Sequence, residues 1–369
     1  MHASTGAPPA LLRRLAVGRE LALRGRTVYV VDRADRVGAE TSSRNSGVIH
    51  AGLYYPEGSL KARLCVAGRP MLYDYLESRG VDFARTGKLV VATGATQRAR
   101  LAQLRATAEA NGVRDLRVVS GGEAAAMEPE LRCEEALFSP STGVFDVHGA
   151  VSALRADLEA AGGAVVLDTE VTGGGAEGGR VVLETRSGAE RLRLRCRTVV
   201  NAAGLWAQVA AAALGVPPAT VPRLHMARGC YFAVSGDAPF SRPIYPLPEP
   251  GGLGIHYTGD LAGRGRFGPS VEWVPGEDPG SVGYDVDPAA EETFRDAVRG
   301  YFPGVDGRAL TADYCGVRPK VVGPGGGWGD FAVHGMREHG VPGLVCLYGV
   351  ESPGLTACLS LADHVAGRC

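Results

Sequence analysis

Apolar positions recur at helical spacing in several parts of the chain and are separated by short β-branched runs. Residues 11–24 carry leucine and alanine at this spacing and stop before Gly25, a common helix terminator. The run "TVYVVD" that follows predicts a buried strand of a parallel sheet that closes on Asp32. Further helices are predicted over 59–79, 96–112, 148–161 and 288–301.

Strand–turn–helix units occur near the beginning, the middle and the end of the chain, whereas strand-like segments dominate between them. This order predicts an α/β protein in which a discontinuous Rossmann-like domain carries an inserted domain with a mixed or antiparallel sheet. The predicted nucleotide-binding domain comprises 1–85, 145–220 and 315–369. The predicted substrate domain comprises 86–144 and 221–314.

Composition narrows the class of protein. The 369 residues are 45% hydrophobic and 21% charged, with a net charge of -1, which gives no electrostatic footprint for nucleic acid or for a polybasic membrane contact. Apolar runs stay well below the ~20 residues that span a bilayer, and no signal peptide is recognised. The eight cysteines are scattered without a CxxC pair, so neither a zinc site nor a disulfide framework is expected, and a reducing cytoplasm is favoured.

Two segments match G-x-G-x-x-G, the pattern of a phosphate-binding loop, at 173–178 and 263–268. The motif needs a strand before it and a helix after it, but both matches precede strand-like runs, so both are predicted to be hairpin turns. A better candidate is "TVVNAAGLWA", where a strand ends at Asn201 and small residues allow a close approach to a flat ligand. The alternative for that segment is a tightly packed strand–helix crossover.

Three further segments carry candidate chemistry. The loop that begins "TSSRNSGVIHAG" is dense in hydrogen-bonding groups and leads to His50, which is either catalytic or structural. The C-terminal "GVESPGLT" precedes a helix whose N-terminus would stabilise negative charge on a ligand, unless it is an ordinary capped helix. "GVRPK" places Arg318 and Lys320 on one strand face, where they either clamp carboxylates or face solvent. His256, in "GIHYTGD", is either a base or a packing residue.

The order of these segments resembles that of the FAD-dependent oxidoreductases of the D-amino-acid oxidase type and, among them, the L-2-hydroxyglutarate dehydrogenase/oxidase group. The resemblance covers roughly residues 17 to 366. It is carried by long strings such as "TSSRNSGVIHAGLYYPEGSLKARLCVAG", "GKLVVAT", "NAAGLWA", "GVRPK" and "GLVCLYGVESPGLTA".

The resemblance implies an FAD-binding domain and assigns cofactor contacts to matching positions. Asp32 would hold the ribose, although most relatives have glutamate there, and Val171 would meet the adenine through its strand. The implied contacts with pyrophosphate and flavin are Ser42, Ser43, Arg44, Asn45, Ser46, Ala203, Gly204, Gly349, Ser352, Gly354, Leu355 and Thr356.

The beginning of the chain departs from the family pattern, in which a strand and a G-x-G-x-x-G loop precede the first helix. Counted back without gaps, the three glycines fall on Pro9, Leu11 and Arg14. Proline fixes φ and lacks an N–H, leucine would displace a pyrophosphate, and arginine would obstruct close helix–strand packing. The first strand and the glycine loop are therefore predicted to be missing, through a wrong start or a frameshift in the gene model. The alternative is a genuine chain that has lost tight FAD binding.

The activity implied by the resemblance is oxidation of L-2-hydroxyglutarate to 2-oxoglutarate, with hydride transfer to flavin N5 and electrons passed on to a quinone or oxygen. Position favours His50 as the base, with His256 second. Arg318 is the first candidate for a substrate carboxylate, assisted by Lys320, Tyr257 or Arg44. The alternatives are another substrate (glycerol 3-phosphate, sarcosine or an amino acid) or an inactive remnant. The expected location is the cytoplasm, with peripheral contact at the inner face of the membrane as an option.

Overall fold

The structure is a computed structural model that describes residues 11–35, 45–247 and 254–369. Within those ranges the chain forms nine α-helices and twenty short strands. The helices are α1 (Leu11–Leu23), α2 (Leu60–Ser78), α3 (Arg98–Ala110), α4 (Gly121–Met127), α5 (Val147–Ala160), α6 (Ala207–Ala213), α7 (Glu291–Arg299), α8 (Met336–His339) and α9 (Cys358–Ala366).

The strands are two to eleven residues long. They are β1 (Tyr29–Val31), β2 (Val48–Ile49), β3 (Phe83–Ala84), β4 (Lys88–Ala92), β5 (Arg117–Ser120), β6 (Glu135–Ser139), β7 (Gly143–Phe145), β8 (Ala164–Val166), β9 (Glu170–Glu177), β10 (Arg180–Ser187), β11 (Glu190–Cys196), β12 (Val199–Asn201), β13 (His225–Val234), β14 (Ile244–Pro246), β15 (Tyr257–Gly259), β16 (Gly265–Phe267), β17 (Glu272–Val274), β18 (Leu310–Lys320), β19 (Ala332–His334) and β20 (Leu344–Tyr348).

The described strands of the first unit form small sheets around one apolar core. β1 pairs in parallel with β8, and β12 pairs in parallel with β20, whose other edge carries β19. Helix α1 packs against α5 and α9, and one buried cluster joins Leu15 of α1, Leu158 of α5 and Leu361 of α9. Arg14 in the first turn of α1 contacts Asp32 after β1 and Ala202 after β12. The carboxyl ends of these strands, where an α/β sheet commonly binds its ligand, therefore lie near that turn.

The second unit is built on a nine-stranded sheet with the order β17-β13-β16-β15-β14-β4-β6-β5, in which β18 also pairs with β13. Among the described strands of this sheet, only β14 and β4 are parallel neighbours, so the sheet is mixed. Its apolar core includes Phe232, Phe267 and Phe302. The sheet takes strands from two separate parts of the chain, residues 88–139 and 225–320, and β18 runs through position 315 without a break.

The predicted α/β class with mixed sheets is confirmed, and so is the hairpin nature of both glycine-rich matches. The first match lies at the β9–β10 turn and the second at the β15–β16 turn. The predicted loss of a first strand and glycine loop concerns chiefly residues 1–10, which lie outside the described residues, so it stays a prediction. Within the described part, no helix combines the length and apolarity required to cross a membrane.

Candidate active site

The acidic residue predicted to hold a ribose follows β1 and is engaged by an arginine. Asp32 is 8% exposed, and its Oδ2 lies 2.7 Å from Nη1 of Arg14 in the first turns of α1. The Nε of Arg14 donates to the carbonyl oxygen of Ala202 at 3.1 Å. One guanidinium thus joins the carboxyl ends of β1 and β12, which belong to different sheets among the described strands. Because both groups are largely buried, either one alone would be a costly uncompensated charge.

The "NAAG" segment forms the tight turn that its small residues predict. Asn201 ends β12 and is buried; its amide nitrogen donates to the carbonyl oxygen of Ala207 at 2.7 Å, and its Oδ1 accepts from the backbone of Ala203. Gly204 has φ 63°, a left-handed conformation that side chains rarely adopt. These contacts direct α6 away from the end of β12 and leave the turn backbone at the shared edge of the strands.

A buried ion-pair network at Glu351 holds the C-terminal turn, residues 349–356. Oε1 of Glu351 accepts hydrogen bonds from Nζ of Lys61 at 2.9 Å and from Nζ of Lys320 at 2.8 Å. Burial alone would raise the pKa of Glu351, but the two ammonium groups outweigh it and hold the pKa below its usual range. A cavity of about 130 Å³ beside this network is lined by Lys320, Glu351 and Gly349. Lys320, predicted to assist substrate binding, is thus placed in the support of the turn.

Replacing Glu351 with glutamine is expected to destabilise the protein by about 3 kcal/mol, because it leaves the buried ammonium of Lys61 without its carboxylate. The exposed Glu272, paired with Arg228, is the matched control, and Glu272→Gln should cost less than about 1 kcal/mol. Urea unfolding of both variants measures the difference. Since the pKa of Glu351 is lowered in the folded protein, the stability that this network contributes should be lost as the pH falls below the pKa of Glu351 in the unfolded chain. Equal stability of the two variants would contradict the buried ion-pair network.

The turn also fixes His50, the first candidate base, from the far end of the sequence. The backbone N–H of His50 donates to Oγ1 of Thr356 at 2.9 Å, and its carbonyl oxygen accepts from Sγ of Cys65. Its ring Nε2 lies 3.3 Å from Oγ of Ser352, which is exposed. The ring Nδ1 is buried and has no hydrogen-bond partner within the described chain. Burial, and then the charges of Lys88 and His256, lower the pKa of His50 to about 3, so the imidazole is neutral near pH 7.

Sequence reasoning missed a second group of buried polar atoms that faces His50 from the nine-stranded sheet. Nζ of Lys88, at the start of β4, lies 4.8 Å from the ring centroid of Tyr54 and 4.5 Å from that of Tyr245. Tyr245 stacks on His256 with centroids 3.6 Å apart and an interplanar angle of 8°. The structure thus brings the second candidate base, His256, to the same cluster. A lysine opening the apolar run "KLVVA" was the sequence signal that could have revealed it.

Arg318 borders this cluster through a row of tyrosines. Its Nη2 donates to the carbonyl oxygen of Ser270 at 3.0 Å. Burial raises the pKa of Tyr231, and the charge of Arg318 offsets part of that rise. Tyr231 stacks on Tyr314 with centroids 4.6 Å apart. The hydroxyl of Tyr314 donates to the carbonyl oxygen of Asn45. Arg318 therefore lies at the junction between the nine-stranded sheet and the loop that leads to His50.

Two predicted residues lie apart from these groups. Tyr257 is fully buried in the apolar core of the second unit, and its hydroxyl donates to the carbonyl oxygen of Phe240 at 3.1 Å. Val171 pairs with Thr185 in the β9–β10 hairpin and packs against the apolar cluster that includes Ala207.

Ser46 contacts the hydroxyl of Tyr231. The predicted contacts Ser42, Ser43 and Arg44 lie outside the described residues.

The described residues fit two parts of an FAD molecule. Asp32, at the carboxyl end of β1, has the chemistry to hold ribose hydroxyls, although Arg14 already occupies one of its oxygens. At the flavin end, Gly354 leaves no room for a side chain, since a Cβ there would lie 2.7 Å from the carbonyl oxygen of Glu351. The ring of His50, whose Nδ1 has no partner among the described residues, meets the same turn through its Nε2. Of the three positions that match the glycines of the family's pyrophosphate loop, Pro9 lies outside the described ranges, whereas Leu11 and Arg14 lie at the start of α1.

Comparison with known sequences also points to an FAD-binding protein. The profile of the FAD dependent oxidoreductase family, DAO, matches residues 15–368. The mitochondrial L-2-hydroxyglutarate dehydrogenase of Arabidopsis thaliana is 42% identical, over 96% of this chain and 80% of that protein. The protein of the same name from Homo sapiens is 32% identical, over 70% of this chain. The match spans 58% of the human protein's length.

Solved structures share the fold at low sequence identity. L-alpha-glycerophosphate oxidase from Mycoplasma pneumoniae, determined with FAD bound, has a TM-score of 0.83 at 22% identity and covers 95% of this chain and 90% of its own. Glycine oxidase from Bacillus cereus has a TM-score of 0.77 at 18% identity, with 96% and 93% covered. The family match and these folds together lead to one conclusion: the chain belongs to the DAO family of FAD-dependent oxidoreductases.

Proposed function

We propose that this enzyme oxidises L-2-hydroxyglutarate to 2-oxoglutarate. The observation that carries the proposal is the placement of His50, a neutral imidazole held by the C-terminal turn that faces the flavin in this family. Arg318 supplies a cation for a carboxylate at the border of the same region. The relatives at 42% and 32% identity are named for this substrate, which favours it over glycerol 3-phosphate or an amino acid.

The reaction removes two hydrogens from the substrate, one from C2 and one from the hydroxyl group. FAD, when bound, accepts the hydride from C2. The hydroxyl proton moves to Nδ1 of His50, the buried ring nitrogen without another partner among the described residues. This requires the resting proton to sit on Nε2, where it donates to Oγ of Ser352. Because Ser352 is exposed, the imidazolium can pass its Nε2 proton to water. Once the product has left, loss of the Nδ1 proton and return of a proton to Nε2 restore the resting tautomer.

A five-carbon dicarboxylate needs a second anchor away from the reacting carbon. Arg318 is suited to this because a guanidinium binds a carboxylate with two parallel hydrogen bonds and stays charged when half-buried. The reduced enzyme would pass its electrons to a quinone or to oxygen. Contact with a membrane quinone would require peripheral attachment at a membrane surface.

A substrate panel tests the proposal. The purified protein, supplied with FAD and an artificial electron acceptor, should convert L-2-hydroxyglutarate to 2-oxoglutarate, identified by mass spectrometry. Deuterium at C2 should slow the reaction if hydride transfer limits it. The D enantiomer is the matched control, since it presents the same charges with the C2 hydrogen on the opposite side. Turnover of glycerol 3-phosphate, sarcosine or an amino acid in preference to L-2-hydroxyglutarate would contradict the proposal.

A further inference from the structure

Lys88 differs from the other two lysines because no acidic residue pairs with it in the described part of the chain. Lysine and arginine together number 39, but only three are lysines. Lys61 and Lys320 share the carboxylate of Glu351. Lys88 is fully buried, and its Nζ has no hydrogen-bond acceptor among residues 11–35, 45–247 and 254–369.

The groups that face Lys88 supply no negative charge. The rings of Tyr54, which follows β2, and of Tyr245 in β14 lie 4.8 Å and 4.5 Å from Nζ. Burial raises the pKa of both phenols, so both are neutral near pH 7. Burial also raises the pKa of the Cys65 thiol in α2 to about 12. The remaining titratable neighbours, His50 and His256, carry either no charge or a positive one.

An ammonium in this setting is poorly stabilised. Its three N–H groups lack acceptors within the described structure, and contacts with two aromatic faces replace only part of the lost hydration. Burial therefore lowers the pKa of Lys88 to about 7. An arginine would stay charged here at any physiological pH, whereas a lysine can lose its proton and regain it when an anion arrives. Most basic residues of this chain are arginines, so the lysine at position 88 stands out because it can lose and regain a proton.

The location of Lys88 indicates which anion it meets. β4 belongs to the nine-stranded sheet, whereas Tyr54 belongs to the segment that follows His50 beside the C-terminal turn. The ammonium thus lies between the two units, where ligand pockets are common. His256, the second candidate base, stacks on Tyr245. A hydroxyl that meets His50 would bring the neighbouring carboxylate of the substrate toward Lys88.

We propose that Lys88 binds the carboxylate attached to the hydroxyl-bearing carbon of the substrate. The inference rests on the proposed function for the identity of that substrate. The lysine side chain leaves its place beside the two rings and donates N–H hydrogen bonds to the carboxylate. A neutral amine takes one proton from solvent as the anion binds, so the pair forms as ammonium and carboxylate. Arg318 is then left for the second carboxylate.

Calorimetric binding of 2-oxoglutarate to the purified chain supplied with FAD tests this without turnover. Titrations in two buffers of different ionisation enthalpy report proton uptake. The wild type should take up close to one proton at about pH 8.5 and almost none at about pH 6, because the amine is already protonated below its pKa. Its affinity should fall as the pH rises through about 7. Lys88→Met should bind roughly 10- to 100-fold more weakly and take up no proton. Lys88→Arg should bind without proton uptake and without this pH dependence.

A monocarboxylate ligand identifies which carboxylate is held. Lys88→Met should weaken binding of 2-oxobutanoate by the same factor as binding of 2-oxoglutarate, whereas Arg318→Met should weaken only the dicarboxylate. Proton uptake that persists in Lys88→Met would place the proton on a histidine and overturn the assignment. The assignment would also be overturned if Lys88→Met weakened binding of the dicarboxylate alone, or if Lys88→Met bound both ligands as tightly as the wild type. Lys88-dependent binding without any oxidation of L-2-hydroxyglutarate would sink the proposed function and leave the lysine assignment standing.

Discussion

Replacing His50 with alanine is expected to slow reduction of the bound flavin by L-2-hydroxyglutarate by about 10²- to 10⁴-fold, the range for loss of a positioned general base. The structure gives the reason. Thr356 and Cys65 fix the backbone of His50, and the ring Nε2 of His50 contacts Ser352. The buried Nδ1 of the same ring is left to accept the proton. Stopped-flow absorbance with substrate in excess measures the rate, and binding of 2-oxoglutarate to the variant should change little.

His148, an exposed residue in α5, is the matched control, and His148→Ala should reduce flavin at the wild-type rate. His256→Ala serves as the rival, because its ring stacks on Tyr245 in the same cluster. If His256→Ala lost the larger factor while His50→Ala stayed within about threefold of wild type, the role of base would pass to His256. The lowered pKa of His50 adds a second expectation, that kcat/KM shows no acid limb above about pH 5.

Replacing Arg14 with alanine is expected to change stability and FAD binding in opposite directions. Without FAD, the variant should lose about 3 kcal/mol, because Asp32 remains buried without its counter-ion. The same change frees Oδ2 of Asp32 for a ribose hydroxyl, so FAD should bind more tightly, by about tenfold if one charge-assisted hydrogen bond is gained. Urea unfolding without FAD and fluorescence titration with FAD measure the two effects separately.

The same helix offers a matched control for Arg14. Arg19 pairs with Asp157 at 2.8 Å, and the two side chains are similarly buried. Arg19→Ala should lower stability by less than Arg14→Ala, because Asp157 keeps Arg79 and Tyr75 as partners. It should not strengthen FAD binding, because Asp157 lies on α5 rather than at the carboxyl end of β1. Asp32→Ala should lower both the stability of the protein and its affinity for FAD. If Arg14→Ala bound FAD less tightly than the wild type, the arginine would be a cofactor ligand and the competition for Asp32 would be refuted.

Local pattern predicted many elements because hydrophobic spacing determines them directly. The predicted helix over 59–79 is α2, Leu60–Ser78, and the two glycine-rich matches are hairpins since strands follow each. The turn after Asn201 also follows from its small residues. These features depend on neighbours a few positions apart, and a single sequence contains that information.

The site required contacts between distant parts of the chain, which the pattern does not record. His50 and Ser352 are 302 positions apart, and Lys88 meets Tyr245 only because β4 and β14 are parallel neighbours. Tyr257 shows the reverse case. It was predicted to assist Arg318 in substrate binding, but its hydroxyl donates to the carbonyl oxygen of Phe240 in the apolar core. Lys320 likewise shares a strand with Arg318 yet is engaged by Glu351.

The measurement that tests the account most directly is the visible spectrum of the purified, FAD-loaded protein before and after L-2-hydroxyglutarate is added without oxygen. The flavin absorbance should bleach with the L enantiomer and persist with the D enantiomer, and 2-oxoglutarate should form in an amount equal to the flavin reduced. A protein that holds FAD but keeps its full absorbance with L-2-hydroxyglutarate would contradict the proposed function.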